Sequence, residues 1–291
     1  MVKLKINDAQ KFEISKIAEE EKRKLGFVGS APIANDLVNL LEQLHIILLE
    51  IPITSEKDTP SFSAAIVYIE NQDLTFVGIN TADYYDKQLF ALAHELYHFF
   101  VKTGYHLSRI NDGQNDLLEM KANYFASEFI LPKEELQKIV FEEFKTNSLK
   151  KIDLQKIIRF ISRIYCKWWL PYNYIVEKLF EIGAIGKDQK EELLKQDVRD
   201  TNSTFARICK TINPDVYKLL NNKTHRISTS PEIIEIIIKN FEDDLISEDD
   251  FEKILKMFNM SPSDFGYDIE IDKNSLDELD DFFSEDLEDE N

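Results

Sequence analysis

Apolar residues recur along this chain with two different periods, and the changes of period divide it into elements. Residues 12–25 place Phe12, Ile14, Ile17 and Ala18 on one side of a predicted amphipathic helix. Pro32 and Asp36 precede a second helical stretch, Leu37 to Leu44. Ile46 to Pro52, Ala64 to Glu70 and Leu74 to Ile79 are rich in Ile, Val, Tyr and Phe and predict strands. Asn71-Gln72-Asp73 predicts a hairpin turn between the last two. Asp86 is placed to cap a long helix running to about Lys102, with Gly104 as its stop signal. Asn111 to Asp116 reads as a polar loop, and a further long helix runs from about Leu117 and ends before Pro132. From about residue 146 the period is helical throughout. Helices are predicted over 152–166, 172–182 (closed by Gly183), 187–196, 231–241 and 248–257. The fold class is therefore α+β at the front, followed by a mostly helical region.

Composition narrows the function classes. The 291 residues carry a formal charge of −19 and 43% hydrophobic residues, enough apolar material for a packed core. So negative a chain argues against binding nucleic acid through general phosphate contacts. The charge is uneven. Residues 266–291 hold twelve acidic residues and one lysine, a net of −11 that leaves −8 for the first 265. Residues 145–167 hold seven Lys or Arg against the single Asp153. The only cysteines, Cys166 and Cys209, exclude a disulfide framework and an all-cysteine zinc site, and suit a reducing cytoplasm. The N-terminal stretch has no apolar core of a secretory signal. The most apolar run, Ile233 to Ile238, is broken by Glu235 and followed by Lys239, so no membrane span is expected.

The chemistry concentrates in Phe90-Ala-Leu-Ala-His94-Glu95-Leu-Tyr-His98. Residues four apart on a helix share a face, so His94 and His98 can bind one Zn²⁺ at about 2.0–2.1 Å each. Glu95 sits one position round, placed to take a proton from water rather than to hold the metal. The alternative is coincidence on a buried helix. Against it stand the scarcity of histidine, five in the chain, and the apolar neighbours Leu89, Leu92, Ala93 and Leu96. Two core histidines side by side with no partner would be costly to bury. Such a site needs a third protein ligand. Glu119, twenty-one residues after His98, has room to return on a second helix, and Asn123 four residues on would orient a ligand imidazole. His106 is the other candidate, and Asp116-x-x-Glu119 also fits a helix capping box. Glu128 is out of phase with Glu119 and should point away.

The segment Val77-Gly-Ile-Asn80, the His94 helix and Glu119-Met-Lys-Ala122-Asn123-Tyr-Phe125-Ala126 … Leu131-Pro132 resembles the ImmA/IrrE metallopeptidases. The resemblance covers residues 10–140. It extends more weakly to about 186, where Ile175 to Ile185 looks like that family's winged or helix-turn-helix-like segment. Tyr97 departs from the pattern, standing where the family often has Gly. The resemblance implies a zincin-like domain and zinc-dependent proteolysis in the cytoplasm, with His94, His98 and Glu119 as ligands and Glu95 as the base. It also implies a helix-turn-helix repressor as substrate, whose cleavage releases genes of a mobile element, a phage or a stress response. The domains expected on this reading are 1–145 (metallopeptidase), 146–190 (helix-turn-helix-like), 191–265 (helical) and 266–291 (acidic tail). The rival is a non-catalytic regulatory protein that keeps a structural metal and binds DNA or a repressor; an intact Glu95 favours the enzyme.

Lys156, Arg159, Arg163 and Lys167 align along one face of their helix. A solvated face is the plain reading. An anionic partner, including the chain's own acidic tail, is the functional one, and DNA is weakly supported by so small a footprint. Trp168 and Trp169 read as core or hinge packing rather than a stacking platform.

Overall fold

The computed structural model describes residues 5–27, 31–54, 62–69, 74–102, 106–108 and 117–267. The expected 71–73 turn, the 111–116 loop, the Asp116 half of the capping box and the acidic tail beyond 267 lie outside the described residues. The chain forms two compact units, divided between Ser230 and Pro231.

The first unit opens with α1 (Asp8–Lys24), capped by a reciprocal pair in which Asn7 and Gln10 each accept from the other's backbone N–H. Ile14, Ala18 and Lys22 form its buried stripe. After α2 (Leu37–Gln43), strands β1 (Ile46–Ile51), β2 (Ala64–Ile69) and β3 (Leu74–Asn80) build a small mixed sheet. With β4 (His106–Ser108) and the two-residue β5 (Ser228–Thr229), the order is β4-β2-β3-β1-β5. β1 and β3 are parallel, with Ile46 opposite Thr75, and the other pairings are antiparallel. Ala64, Ile66, Val77 and Ile79 are buried, as period-two alternation requires. β2 and β3 pack on α3 (Tyr85–Val101), which is buried without a break from Gln88 to His98. α4 (Leu117–Ile130) lies against both α3 and α1. The α+β layout read from the sequence is the one observed.

One residue ties the sheet to α3. Asn80, at the end of β3 and 1% exposed, donates to the carbonyls of Ile53 (2.7 Å) and Phe62 (2.8 Å). Its Oδ1 accepts from the amides of Ile53 (2.9 Å) and Ala82 (3.1 Å). A side-chain amide can serve both sets at once, so one Asn pins three chain segments just before α3 begins.

The helical part contains more than the pattern predicts. Pro132 ends α4 but also starts α5 (Lys133–Phe144), whose first turn carries Glu134 and Glu135 where the helix dipole favours them. α6 (Leu154–Trp168), α7 (Tyr172–Glu181) and α8 (Lys187–Leu194) match the predicted helices within a few residues. Residues 200–222, unassigned from the pattern, form α9 (Thr204–Ile212) and α10 (Pro214–Leu220). Asn213 ends one and caps the other, and Pro214 takes the first helical position. Trp168 is fully buried, as expected of core packing.

In the second unit, α11 (Pro231–Glu242) and α12 (Glu248–Met257) close on a small core of Ile234, Ile237, Phe251 and Leu255. The rings of Phe241 and Phe251 stack at 4.3 Å. Among the described residues, no helix is long and apolar enough to cross a membrane.

Candidate metal centre

α3 and α4 bring together the three residues singled out as ligands. His94 and His98 lie one turn apart on α3, with their Nε2 atoms 3.3 Å from each other. Glu119 stands in the first turn of α4. Its two carboxylate oxygens are 3.2 Å from His94 Nε2 and 3.4 Å from His98 Nε2. All three side chains are buried, and their ligand atoms fall within 4.8 Å of one another. Bonds of about 2.0–2.1 Å to a tetrahedral ion put the ligand atoms about 3.3–3.4 Å apart. The three observed separations fit that figure, so this cluster can hold a metal.

The electrostatics agree with the geometry. Burial opposes a charge on His94, but its hydrogen bond to Glu119 and the charges of Glu95 and Glu119 outweigh this and raise its pKa. Two imidazoles and two carboxylates packed this closely favour a cation between them. Asn123 orients the ring. Its Oδ1 lies 3.1 Å from His94 Nδ1 and can only accept, so Nδ1 donates to it and Nε2 is the atom that faces Glu119. Glu95 is fully buried next to His94 on α3. Its charge, after burial, helps push the Tyr68 phenol on β2 up to about 12. Tyr97 is 5% exposed, its ring 5.5 Å from that of Phe125 on α4, so the residue that departs from the family pattern fills the α3–α4 contact.

The other sequence candidates fall elsewhere. Glu128 is buried in an ion pair with Lys178 and accepts from Ser15 Oγ (3.3 Å) and the Lys133 amide (3.2 Å). His106 lies in β4, with its side chain outside the described residues. Asp86 does not cap α3. Tyr84 occupies the cap position, and the Asp86 carboxylate takes a two-pronged contact from Arg199 (2.7 and 2.9 Å) and a bond from Tyr165 Oη (3.2 Å). Arg199 has no sequence signal beyond being a charged residue before α9.

The metal cluster opens onto a cavity of about 540 Å³. Lys87, Phe90, Ala91 and His94 of α3 line it, together with Tyr174 and Arg199 from the later helices. The basic face of α6 is exposed, and with Arg207 of α9 it borders a separate groove of about 670 Å³. Arg163 there pairs with Glu143 at 2.5 Å.

No curated protein matches the chain. Residues 49–155, which span β1 to the start of α6 and include all the residues of the metal cluster, match the family model described as the IrrE N-terminal-like domain. That segment of the chain is thus similar to the IrrE N-terminal-like domain of the peptidase M78 family.

Proposed function

We propose that the protein is a zinc-dependent endopeptidase of the cytoplasm that cleaves a regulatory protein, with a helix-turn-helix repressor as its substrate. One observation carries the peptidase reading: the buried His94–His98–Glu119 cluster has the spacing of a three-ligand metal site, beside a carboxylate that lines the same cavity. The repressor assignment rests on the resemblance read from the sequence, and the cytoplasmic one on two free buried thiols, Cys166 and Cys209.

In this reading His94, His98 and Glu119 hold the zinc, which when bound supplies the Lewis acidity that acidifies water and polarises a peptide carbonyl. Glu95 takes the proton from the attacking water and returns it to the departing amine as the C–N bond breaks and the C–O bond forms. Asn123 keeps the His94 ring in one tautomer and orientation. Burial on α3 keeps Glu95 close to that proton path.

The test is co-expression of the full chain with helix-turn-helix proteins encoded beside it, comparing wild type with Glu95→Gln. Cleavage by wild type and its loss in the variant is the expected result. Cleavage that persists at the wild-type rate in Glu95→Gln sinks the mechanism, and cleavage of none of these proteins sinks the repressor assignment.

A further inference from the structure

The cavity has a second end, lined by Tyr84, Lys87 and Arg199. Lys87, Phe90, Ala91 and His94 follow one another at helical spacing along the α3 wall. The seven residues from His94 back to Lys87 span about 10 Å of helix. There the ring of Tyr84 gathers three cations. The guanidinium carbon of Arg199 is 4.0 Å from the ring centroid, Lys223 Nζ 5.6 Å and Lys87 Nζ 5.8 Å. Backbone pairing fixes this corner. Tyr84 bridges Lys223, the Tyr85 amide donates to Asn222 at 2.9 Å, and the His225 amide donates to Thr81 at 3.0 Å.

Two aspartates answer the three cations. Asp86 is buried against Arg199, and Asp83 lies 3.2 Å from the half-exposed Lys87. Among the described residues, no carboxylate comes within ion-pair distance of Lys223. The corner therefore carries a net positive charge, and a positively charged side chain entering it would meet three like charges. Between this corner and the His94 end, Phe90 and Tyr174 stack at 3.8 Å and line the cavity. Extended peptide advances about 3.3–3.6 Å per residue, so 10 Å is about three residues.

We propose, resting on the peptidase reading, that the cleft selects an extended segment with an acidic side chain about three residues from the cleaved bond. The carboxylate sits at the Tyr84–Lys87 corner of the cavity, within the field of Lys223 on the same tyrosine ring, and an apolar residue before it lies beside Phe90 and Tyr174. Pro171 to Tyr174, Val198 and Arg199 lie beyond the matched domain, so the later helices supply part of the specificity of this chain.

The test uses the full zinc-loaded chain and a pool of peptides from a digested proteome. Cleaved bonds should show Asp or Glu enriched about tenfold over Lys or Arg at the third position, on one side only. The double variant Lys87→Glu, Lys223→Glu should lose about tenfold in kcat/KM on the acidic peptides and gain on lysine-bearing ones. Cleavage with no charge preference overturns the inference and leaves the peptidase reading standing. Absence of all cleavage counts against the peptidase reading, and a binding arm then decides the inference. In that arm, labelled ten-residue peptides with a Glu-rich or Lys-rich half are titrated onto Glu95→Gln by fluorescence anisotropy. The Glu-rich peptide should bind about tenfold tighter at low salt, a gap that closes when the two lysines are reversed. Equal binding overturns the inference.

Discussion

Lys22 offers a quantitative test of how the helix behind Glu119 is supported. It occupies the third position of the buried stripe of α1, after Ile14 and Ala18, on the helix that packs against α4. It is 4% exposed, and its Nζ has no hydrogen-bond partner among the described residues. Burial pulls its pKa from 10.5 down to about 8, against the opposing charges of Glu128 and Glu135. That gap amounts to about 3 kcal/mol of penalty for keeping the ammonium charged in the folded protein. The sign follows from proton counting. Below about pH 8 the lysine is charged in both states, and the whole penalty is present. Between about 8 and 10.5 the folded protein has released the proton and the unfolded chain has not, so the penalty fades as the pH rises. Lys22→Met keeps the length of the side chain and removes the charge. The variant should be more stable than wild type by about 3 kcal/mol at pH 7, narrowing by about 2 kcal/mol at pH 9.5. Urea unfolding of both proteins at the two pH values measures this. The difference between them is the readout, because the buried tyrosines, with pKa values raised by burial, pull the stability of both downward at alkaline pH. A variant no more stable than wild type at pH 7, or a difference unchanged at pH 9.5, would refute the reasoning.

Three further outcomes follow from the contacts. Asn123→Ala removes the acceptor from His94 Nδ1 and should weaken metal affinity by about 10- to 100-fold with the fold intact, measured by chelator competition; unchanged affinity would remove Asn123 from the site. Arg199→Met leaves Asp86 buried without its cation and should cost about 3–5 kcal/mol, read from denaturant midpoints. A loss below about 1 kcal/mol would show that Tyr165 and solvent suffice for Asp86. Asn80→Ala removes the side chain that serves four backbone groups and should destabilise by about 3 kcal/mol, whereas a near-neutral effect would mean that other contacts hold these segments.

What the sequence revealed and what it hid have separate causes. The His94–His98–Glu119 cluster was legible because both of its signals are local. His94 and His98 sit four apart on one helix, and Glu119 and Asn123 sit four apart on the next. Helix geometry then turns spacing into position. β1, β2 and β3 were legible from β-branched and aromatic runs, whereas β4 and β5 are too short to show a period. α5 was hidden because a proline that ends one helix can also begin another, and the pattern gives no direction to that signal. α9 and α10 are short and joined at Asn213, so neither supplies enough turns for a clear period. The cationic corner was hidden for a different reason. Tyr84, Lys87, Arg199 and Lys223 are spread over about 140 residues of chain, and only tertiary packing assembles them. Asp86 shows the same limit: its place in the first turn suggested a cap, while a residue more than a hundred positions away decides its role.

On the proposed mechanism His94, His98 and Glu119 hold one metal ion, and Glu95 acts beside it without holding it. Metal content per chain, measured on purified wild type, Glu95→Gln and His98→Ala after dialysis, tests this most directly. One zinc per chain is expected in wild type and in Glu95→Gln, and a near-complete loss in His98→Ala. Wild-type protein without stoichiometric metal, or His98→Ala with as much metal as wild type, would contradict it.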